Sequence, residues 1–114
     1  MVRIYHNNRC SKSRATLALL EQHSSDVEVI NYLDNPPSAS ELAQLLKQLH
    51  MTARQLIRSG EDEYQALGLD DPSLDEDALI AAMVTHPRLI ERPIVVANGK
   101  AALGRPPESV LAIL

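Results

Sequence analysis

Residues 2–23 read VRIYHNNRCSKSRATLALLEQH, and this stretch decides the fold. Residues 2–5 are mostly apolar and predict a short strand, while the apolar positions of residues 11–23 predict a helix with Ser11 as its N-cap. Residues 27–32, VEVINY, are β-branched and partly alternating, which predicts a second strand. Because a helix that joins two strands forms a right-handed crossover, we expect the two strands to pair in parallel.

The middle of the chain is predicted to be a helical insertion. Asn35-Pro36-Pro37 interrupts the chain, and capping-box patterns follow at residues 38–41 and 73–76. Helices are predicted to begin at Ser38 and Ser73, with two short helices between them over residues 52–58 and 61–67. We therefore expect one domain over residues 1–114, with a helical insertion at about residues 38–90.

The end of the chain predicts a hairpin and a last helix. Residues 93–97 and 100–103 are strand-like, and Asn98-Gly99 between them is typical of a type I′ turn. Residues 108–114 predict a helix. The order β-α-β, helical insertion, β-β-α predicts an α/β protein with a thioredoxin-like fold, whose mixed sheet is flanked by helices. In that topology a reactive thiol follows the first strand.

Cys10 is the chain's single cysteine, and it lies at the predicted strand-to-helix turn. Free N–H groups and the positive end of the helix dipole stabilise a thiolate there, and Arg9, Lys12 and Arg14 add positive charge. The alternative is a buried, unreactive cysteine that packs as a small hydrophobe. The polar and basic neighbours favour the reactive interpretation.

Two familiar types of thiol site are excluded by residues 13 and 16. A phosphatase-type loop needs an arginine six positions after its cysteine, where this chain has Thr16. A dithiol redox motif needs a second cysteine three positions on, where it has Ser13. A resolving thiol must therefore come from another molecule, and glutathione or a small redox protein is the natural donor. Ser13 otherwise satisfies backbone groups at the start of the helix.

Basic side chains supply candidate partners for an anion near Cys10. The guanidinium fork matches a tetrahedral oxyanion, and the candidates are Arg58, Arg92 and Arg105. Arg92 and Arg105 each precede a proline, where the backbone is stiff, although exposed arginines are often merely solvated. His6 either hydrogen-bonds the thiolate or simply ends the strand. The other three histidines fall at predicted helix C-termini and are interpreted as structural.

Composition limits the function classes. The formal net charge of −4 disfavours nucleic acid as a partner, and no stretch of the 114 residues is apolar enough to cross a membrane. One cysteine cannot form an internal disulfide, and the polar residues after the first strand argue against a signal peptide, so a cytoplasmic protein is expected. Four scattered histidines and one cysteine do not form a metal pattern. We expect a monomer with no bound metal or cofactor.

Taken in order, these residues resemble the glutaredoxin-coupled arsenate reductases of the ArsC type, within the ArsC/Spx group of thioredoxin-like proteins. The matching segments cover essentially the whole chain and are residues 4–14, 32–38, 56–58, 64–69, 86–87, 91–96 and 103–106. In this resemblance Cys10 matches the nucleophile, and His6 matches a histidine that helps to keep the thiol ionised. Pro93 matches a cis-proline beside the active site. The family's three anion-binding arginines match Arg58, Arg92 and Arg105.

The resemblance implies an oxidoreductase of arsenical resistance, which reduces arsenate to arsenite through a covalent adduct on Cys10. Glutathione would be the co-substrate and glutaredoxin the protein partner. Two alternatives belong to other classes: a glutathione-dependent thiol oxidoreductase that acts on protein mixed disulfides, and an Spx-like regulatory module that binds RNA polymerase. Ser13 is compatible with the first alternative but removes the cysteine pair that redox-sensing Spx-like proteins use. An ArsC-like protein without catalytic activity is a third.

Overall fold

The computed structural model describes residues 2–114. It divides into two compact units. The first, here called the sheet unit, contains the described residues up to Asn35 together with Arg92–Leu114. The second, the helical unit, contains Pro36–Glu91, nearly the same residues as the predicted insertion. That the whole chain forms a single domain stays a prediction.

The sheet unit is built on a four-stranded mixed sheet. Its strands are β1 (Val2–His6), β2 (Val27–Asn31), β3 (Ile94–Ala97) and β4 (Lys100–Leu103). In the order β2-β1-β3-β4, β1 pairs in parallel with β2 and antiparallel with β3, which pairs antiparallel with β4. Helix α1 (Ser11–His23) connects β1 to β2, and a 3₁₀ helix (Pro107–Ile113) follows β4. The predicted thioredoxin-like arrangement is confirmed.

The core of the sheet unit is aliphatic. Ile4 of β1 and Val95 of β3 lie directly opposite each other and are completely buried. Leu20 of α1 and Val110 of the last 3₁₀ helix complete this core from outside the sheet. Because each fully buried aliphatic side chain stabilises the fold by about 1.5–3 kcal/mol, this contact set fixes the register of β1 against β3.

The helical unit contains the insertion. Its elements are α2 (Ala39–Leu49), α3 (Ala53–Leu56), α4 (Asp62–Ala66), α5 (Glu76–Thr85) and a 3₁₀ turn (Pro87–Leu89). The predicted capping box at the start of α2 is confirmed, with Ser38 and Glu41 each accepting from the other's backbone N–H. A bridge between Ile57 and Ile90 pairs the segment after α3 with the end of the unit. Among residues 2–114, no helix has both the length and the apolar character needed to span a bilayer.

Two predicted N-caps are wrong. Cys10, and not Ser11, is the N-cap of α1, because Cys10 has an extended backbone and its carbonyl accepts the first helical hydrogen bond, from Arg14 N–H. Asp75, and not Ser73, caps α5 by accepting from Ala78 N–H at 2.8 Å. Ser73 is engaged elsewhere, since its backbone N–H and its hydroxyl both donate to one carboxylate oxygen of Asp71. These two bonds hold the pKa of the Asp71 carboxyl below its ordinary value.

The extents of three predicted helices also differ. The two short helices of the insertion are shorter than predicted, at Ala53–Leu56 and Asp62–Ala66. The last helix is a 3₁₀ helix over Pro107–Ile113. Val110 and Ile113, the residues it buries, are separated by one turn of a 3₁₀ helix, so this geometry places both side chains in the core.

Gly104 offers a test of how tightly the end of β4 packs. A Cβ atom at this position would lie 2.7 Å from Cγ of Pro93 and closer still to Oγ1 of Thr16. We expect Gly104→Ala to lower the free energy of unfolding by about 1–3 kcal/mol, the usual cost of overpacking, as measured by urea denaturation.

Gly60→Ala is the matched control, because a Cβ at Gly60 would meet nothing within 4 Å among the described residues. Its free energy of unfolding is expected to change by less than about 0.5 kcal/mol. Equal unfolding midpoints for the two variants would contradict the close approach at Gly104.

Candidate active site

Three chain segments meet at one edge of the sheet. The end of β1, the start of β3 and the end of β4 lie side by side, because β3 runs antiparallel to both neighbours. The loop of residues 7–10, which carries Cys10, follows β1. Arg92-Pro93 precedes β3 and Gly104-Arg105 follows β4. The fold therefore brings Cys10, Arg92 and Arg105 to the same edge.

A hydrogen bond joins the residue before β3 to the residue after β4. Gly104 N–H donates to the Pro93 carbonyl at 3.0 Å. Thr16, which is completely buried in α1, lies against Gly104 from the helix side, with Oγ1 3.5 Å from the Gly104 carbonyl oxygen. Helix α1, which follows Cys10, is thus packed directly against the turn that carries Arg105.

Cys10 occupies the start of α1, and no side chain among the described residues caps that helix end. Its own N–H donates to the Asn7 carbonyl at 3.0 Å, which closes the loop into a tight turn. Cys10 therefore lies at the end of α1 that has free N–H groups and the positive end of the helix dipole. Cys10 retains 9 % of its residue surface, so it is largely but not completely covered.

The basic residues around Cys10 partly hold the loop itself. Nη1 of Arg14 donates to the Asn8 carbonyl at 2.8 Å, and Arg9 N–H donates to Oδ1 of Asn7 at 3.0 Å. Asn7 therefore organises the loop with both its carbonyl and its side chain. The sequence patterns did not single out Asn7, although asparagine is a common residue in such turns.

His6 and Ser13 form a buried pair behind the loop. His6 is 4 % exposed and Ser13 is completely buried, and Nδ1 of His6 lies 2.6 Å from Oγ of Ser13. The same oxygen accepts from Asn7 N–H at 3.0 Å. Which of the two atoms donates in this bond depends on the tautomer of the ring.

This pair shows what His6 and Ser13 contact in the structure. His6 ends β1 and bonds Ser13, and Ser13 binds a side chain as well as the backbone. Together they fasten the end of β1 to the first turn of α1, on either side of Cys10. The contribution of His6 to keeping the thiol ionised stays a prediction.

Arg92 and Arg105, the two predicted anion ligands that lie in the sheet unit, are linked through the Arg92 backbone. Nη1 of Arg105 donates to the Arg92 carbonyl at 3.0 Å. Arg105 is exposed, whereas Arg92 is partly buried and its Nε and Nη1 atoms are shielded from solvent. The Arg92–Pro93 bond is cis, as the resemblance implies, and so is Arg105–Pro106, which the sequence did not indicate.

Arg58, the third predicted anion ligand, belongs to the helical unit. Its N–H donates to the Leu89 carbonyl at 2.7 Å. Its guanidinium forms ion pairs with Glu61, at 3.0 Å, and with Glu91, at 3.6 Å. Its role toward the anion stays a prediction. Within residues 2–114, no cluster of three or more histidine, cysteine, aspartate or glutamate side chains could hold a metal ion.

Comparison with known proteins gives consistent matches over nearly the whole chain. The model of the ArsC family matches residues 5–113. An arsenate reductase of Neisseria meningitidis serogroup A is 54% identical over 114 residues, which cover 99% of this chain and 97% of that protein. The uncharacterized protein YfgD of Escherichia coli K12 is 59% identical over 99% of this chain and 96% of its own length. The structure of an arsenate reductase from Vibrio cholerae superposes with a TM-score of 0.95 at 55% identity, covering 99% of this chain and 97% of that one.

Removal of the Ser13 hydroxyl tests the buried pair. Ser13→Ala leaves Nδ1 of His6 and the N–H of Asn7 without this partner, and an unsatisfied buried group costs about 1–3 kcal/mol. We expect the free energy of unfolding to fall by about that amount in urea denaturation, and amide exchange at Asn7 to accelerate.

The exposed Ser11, two positions earlier in the same helix, provides the matched control Ser11→Ala. This variant should unfold within about 0.5 kcal/mol of the natural protein. If the two serine variants proved equally stable, the buried pair would not hold the loop.

Proposed function

This chain belongs to the ArsC family, and on that premise we propose that it is an arsenate reductase that reduces arsenate to arsenite at Cys10. One observation carries the proposal: Cys10 lies at the uncapped start of α1, on the sheet edge to which Arg92 and Arg105 also belong. Relatives that bear the name arsenate reductase and match nearly the full chain support the same substrate.

Electrostatics explains why an arsenate site needs arginines. Arsenate near neutral pH is largely a dianion, and a thiolate at 4 Å repels each of its charges by about 4 kcal/mol in a protein-surface environment. Guanidinium groups that bind the oxyanion offset this repulsion and orient it through bidentate hydrogen bonds. We assign this task to Arg92 and Arg105, and, through the family resemblance, to Arg58.

The proposed reaction proceeds by nucleophilic catalysis. The Cys10 thiolate attacks arsenic, and an arsenate oxygen leaves as water after taking up protons, which gives a covalent thiol–arsenate adduct. A glutathione thiolate then attacks Sγ of Cys10, and the S–As electron pair stays with arsenic. Arsenic is thereby reduced from As(V) to As(III), and Cys10 and glutathione are oxidised to a mixed disulfide.

The thiol that resolves the adduct comes from outside the chain, because Cys10 is its single cysteine. A glutaredoxin thiolate would attack the glutathione sulfur of the mixed disulfide, which restores Cys10. Glutathione is therefore proposed as a co-substrate and glutaredoxin as a partner, with no bound cofactor. The cytoplasm supplies both reductants, so we propose that location; the monomeric state stays a prediction.

A thiol oxidoreductase that acts on protein mixed disulfides is the second candidate. It would use the same single thiol and the same cis-proline turn at Arg92–Pro93. It would have no use for arginines at the sheet edge, which is why arsenate reduction is preferred. Removal of glutathione from a glutathionylated protein, without dependence on arsenate, would favour this candidate.

Cys10→Ser tests the nucleophile. We expect it to abolish arsenate-dependent NADPH oxidation in an assay coupled through glutathione, glutaredoxin and glutathione reductase, because a serine hydroxyl is not ionised at neutral pH. The far-ultraviolet circular dichroism should be unchanged, which separates lost chemistry from lost structure. Full turnover by this variant would exclude the mechanism.

Arg92→Ala tests anion capture. The variant keeps the backbone carbonyl that accepts from Arg105, so its main loss is one charged side chain. We expect KM for arsenate to rise about tenfold or more, since a hydrogen bond to a charged group contributes about 1.5–3 kcal/mol. The control is Arg3→Ala, which removes an arginine from an exposed ion pair with Glu28 in the same unit. Unchanged KM and kcat in Arg92→Ala would refute the assignment.

A further inference from the structure

Arg58 is surrounded by carboxylates in the helical unit. Its Nη1 lies 3.0 Å from Oε1 of Glu61, and its Nε lies 3.6 Å from Oε1 of Glu91. These three side chains are 19–27 % exposed, so water screens their charges less than it would on an open surface. The guanidinium predicted to bind an oxyanion thus already has anionic partners.

The backbone keeps these partners in place. Arg58 N–H donates to the Leu89 carbonyl at 2.7 Å, and the neighbouring residues Ile57 and Ile90 form an antiparallel bridge. Both bridge residues are buried. Because the segments on either side of the ion pair are fixed, the approach of Glu91 to Arg58 follows from the fold and not from a chance surface contact.

Glu61 also has a second cation within reach. The oxygen that pairs with Arg58 lies 3.8 Å from Nη2 of Arg88, and Nη1 of Arg88 lies 3.6 Å from Glu63. Glu61 can therefore release Arg58 and keep a positively charged partner. We call these five residues the counter-ion cluster: Arg58, Glu61, Glu63, Arg88 and Glu91. Its carboxylates outnumber its guanidinium groups.

We propose that Arg58 exchanges Glu61 for the oxyanion, so that Glu61 sets the affinity of anion binding. This inference rests on the proposed function, because it takes Arg58 to be an anion ligand. An incoming anion must displace a singly charged carboxylate from the guanidinium. A tetrahedral dianion such as arsenate or sulfate can do so more easily than a monoanion such as nitrate, because its attraction to the guanidinium is larger. Arg88 eases the exchange by attracting the released Glu61.

The test measures anion binding apart from turnover. Dissociation constants of arsenate, sulfate and nitrate are determined by isothermal titration calorimetry in the Cys10→Ser protein, which cannot form the covalent adduct. We expect Glu61→Gln to tighten sulfate and arsenate binding about threefold to fivefold, the effect of removing one partly exposed ion pair. Nitrate binding should tighten by a similar factor, because every anion that binds Arg58 must displace the same carboxylate. Arg88→Ala should weaken dianion binding, because Glu61 then has Arg58 as its main partner.

Two controls separate pairing from a general change of charge. Glu21→Gln removes the same charge from an exposed position on α1 and should leave all three dissociation constants within twofold. Glu61→Gln should have no effect on anion binding in an Arg58→Ala background, since Glu61 then has no Arg58 guanidinium to pair with. An equal effect with and without Arg58, or unchanged binding in Glu61→Gln, would overturn the exchange.

These measurements distinguish a failure of the proposed exchange from a failure of the proposed reaction. If the protein binds arsenate and sulfate with the expected response to Glu61→Gln but reduces no arsenate, the reaction is wrong and the exchange stands. If it reduces arsenate and Glu61→Gln changes neither KM nor anion affinity, the reaction stands and the exchange is wrong. Absence of arsenate and sulfate binding at millimolar concentrations would overturn the exchange.

Discussion

The buried hydrogen bond between the Ser13 hydroxyl and Nδ1 of His6 is the constraint on which the sheet edge depends. His6 ends β1 and Ser13 lies in the first turn of α1, so this bond sets the distance between the two elements that carry the Cys10 loop. The same hydroxyl oxygen binds Asn7 N–H, which orients the first residue of the loop. Because an unsatisfied polar group in this position would be costly, the serine, the histidine and the loop conformation are linked.

Much of the fold was predictable because its signals are local. The strand, helix and strand at the start of the chain follow from apolar periodicity, and the hairpin follows from the residues at its turn. Asn98 and Gly99 both have positive φ values, as a type I′ turn requires. The position of Cys10 at a helix start followed from the same patterns, although its role as the N-cap did not.

The parts of the site that sequence did not predict depend on contacts between distant residues. A sequence pattern does not tell whether His6 contacts the Cys10 thiol or the Ser13 hydroxyl, since both residues follow His6 closely in the chain. The ion pair of Arg58 with Glu91 arises only because the chain after α3 pairs with the chain before β3. The N-cap of α5 is a smaller example of the same limit. Ser73 and Asp75 both have side chains that can cap a helix, but the Ser73 hydroxyl donates to Asp71, and Asp75 accepts from Ala78 N–H.

The 3₁₀ helix that follows β4 restricts the insertions and deletions that this segment can accept. Val110 and Ile113 enter the core one turn apart, and the carbonyl of Ile113 accepts from the Asn98 side chain at 2.8 Å. One extra residue between them would rotate the second side chain by about 120° and pull the carbonyl away from the hairpin. The segment can therefore accept many changes of residue type at its exposed positions, but it cannot accept a change of length.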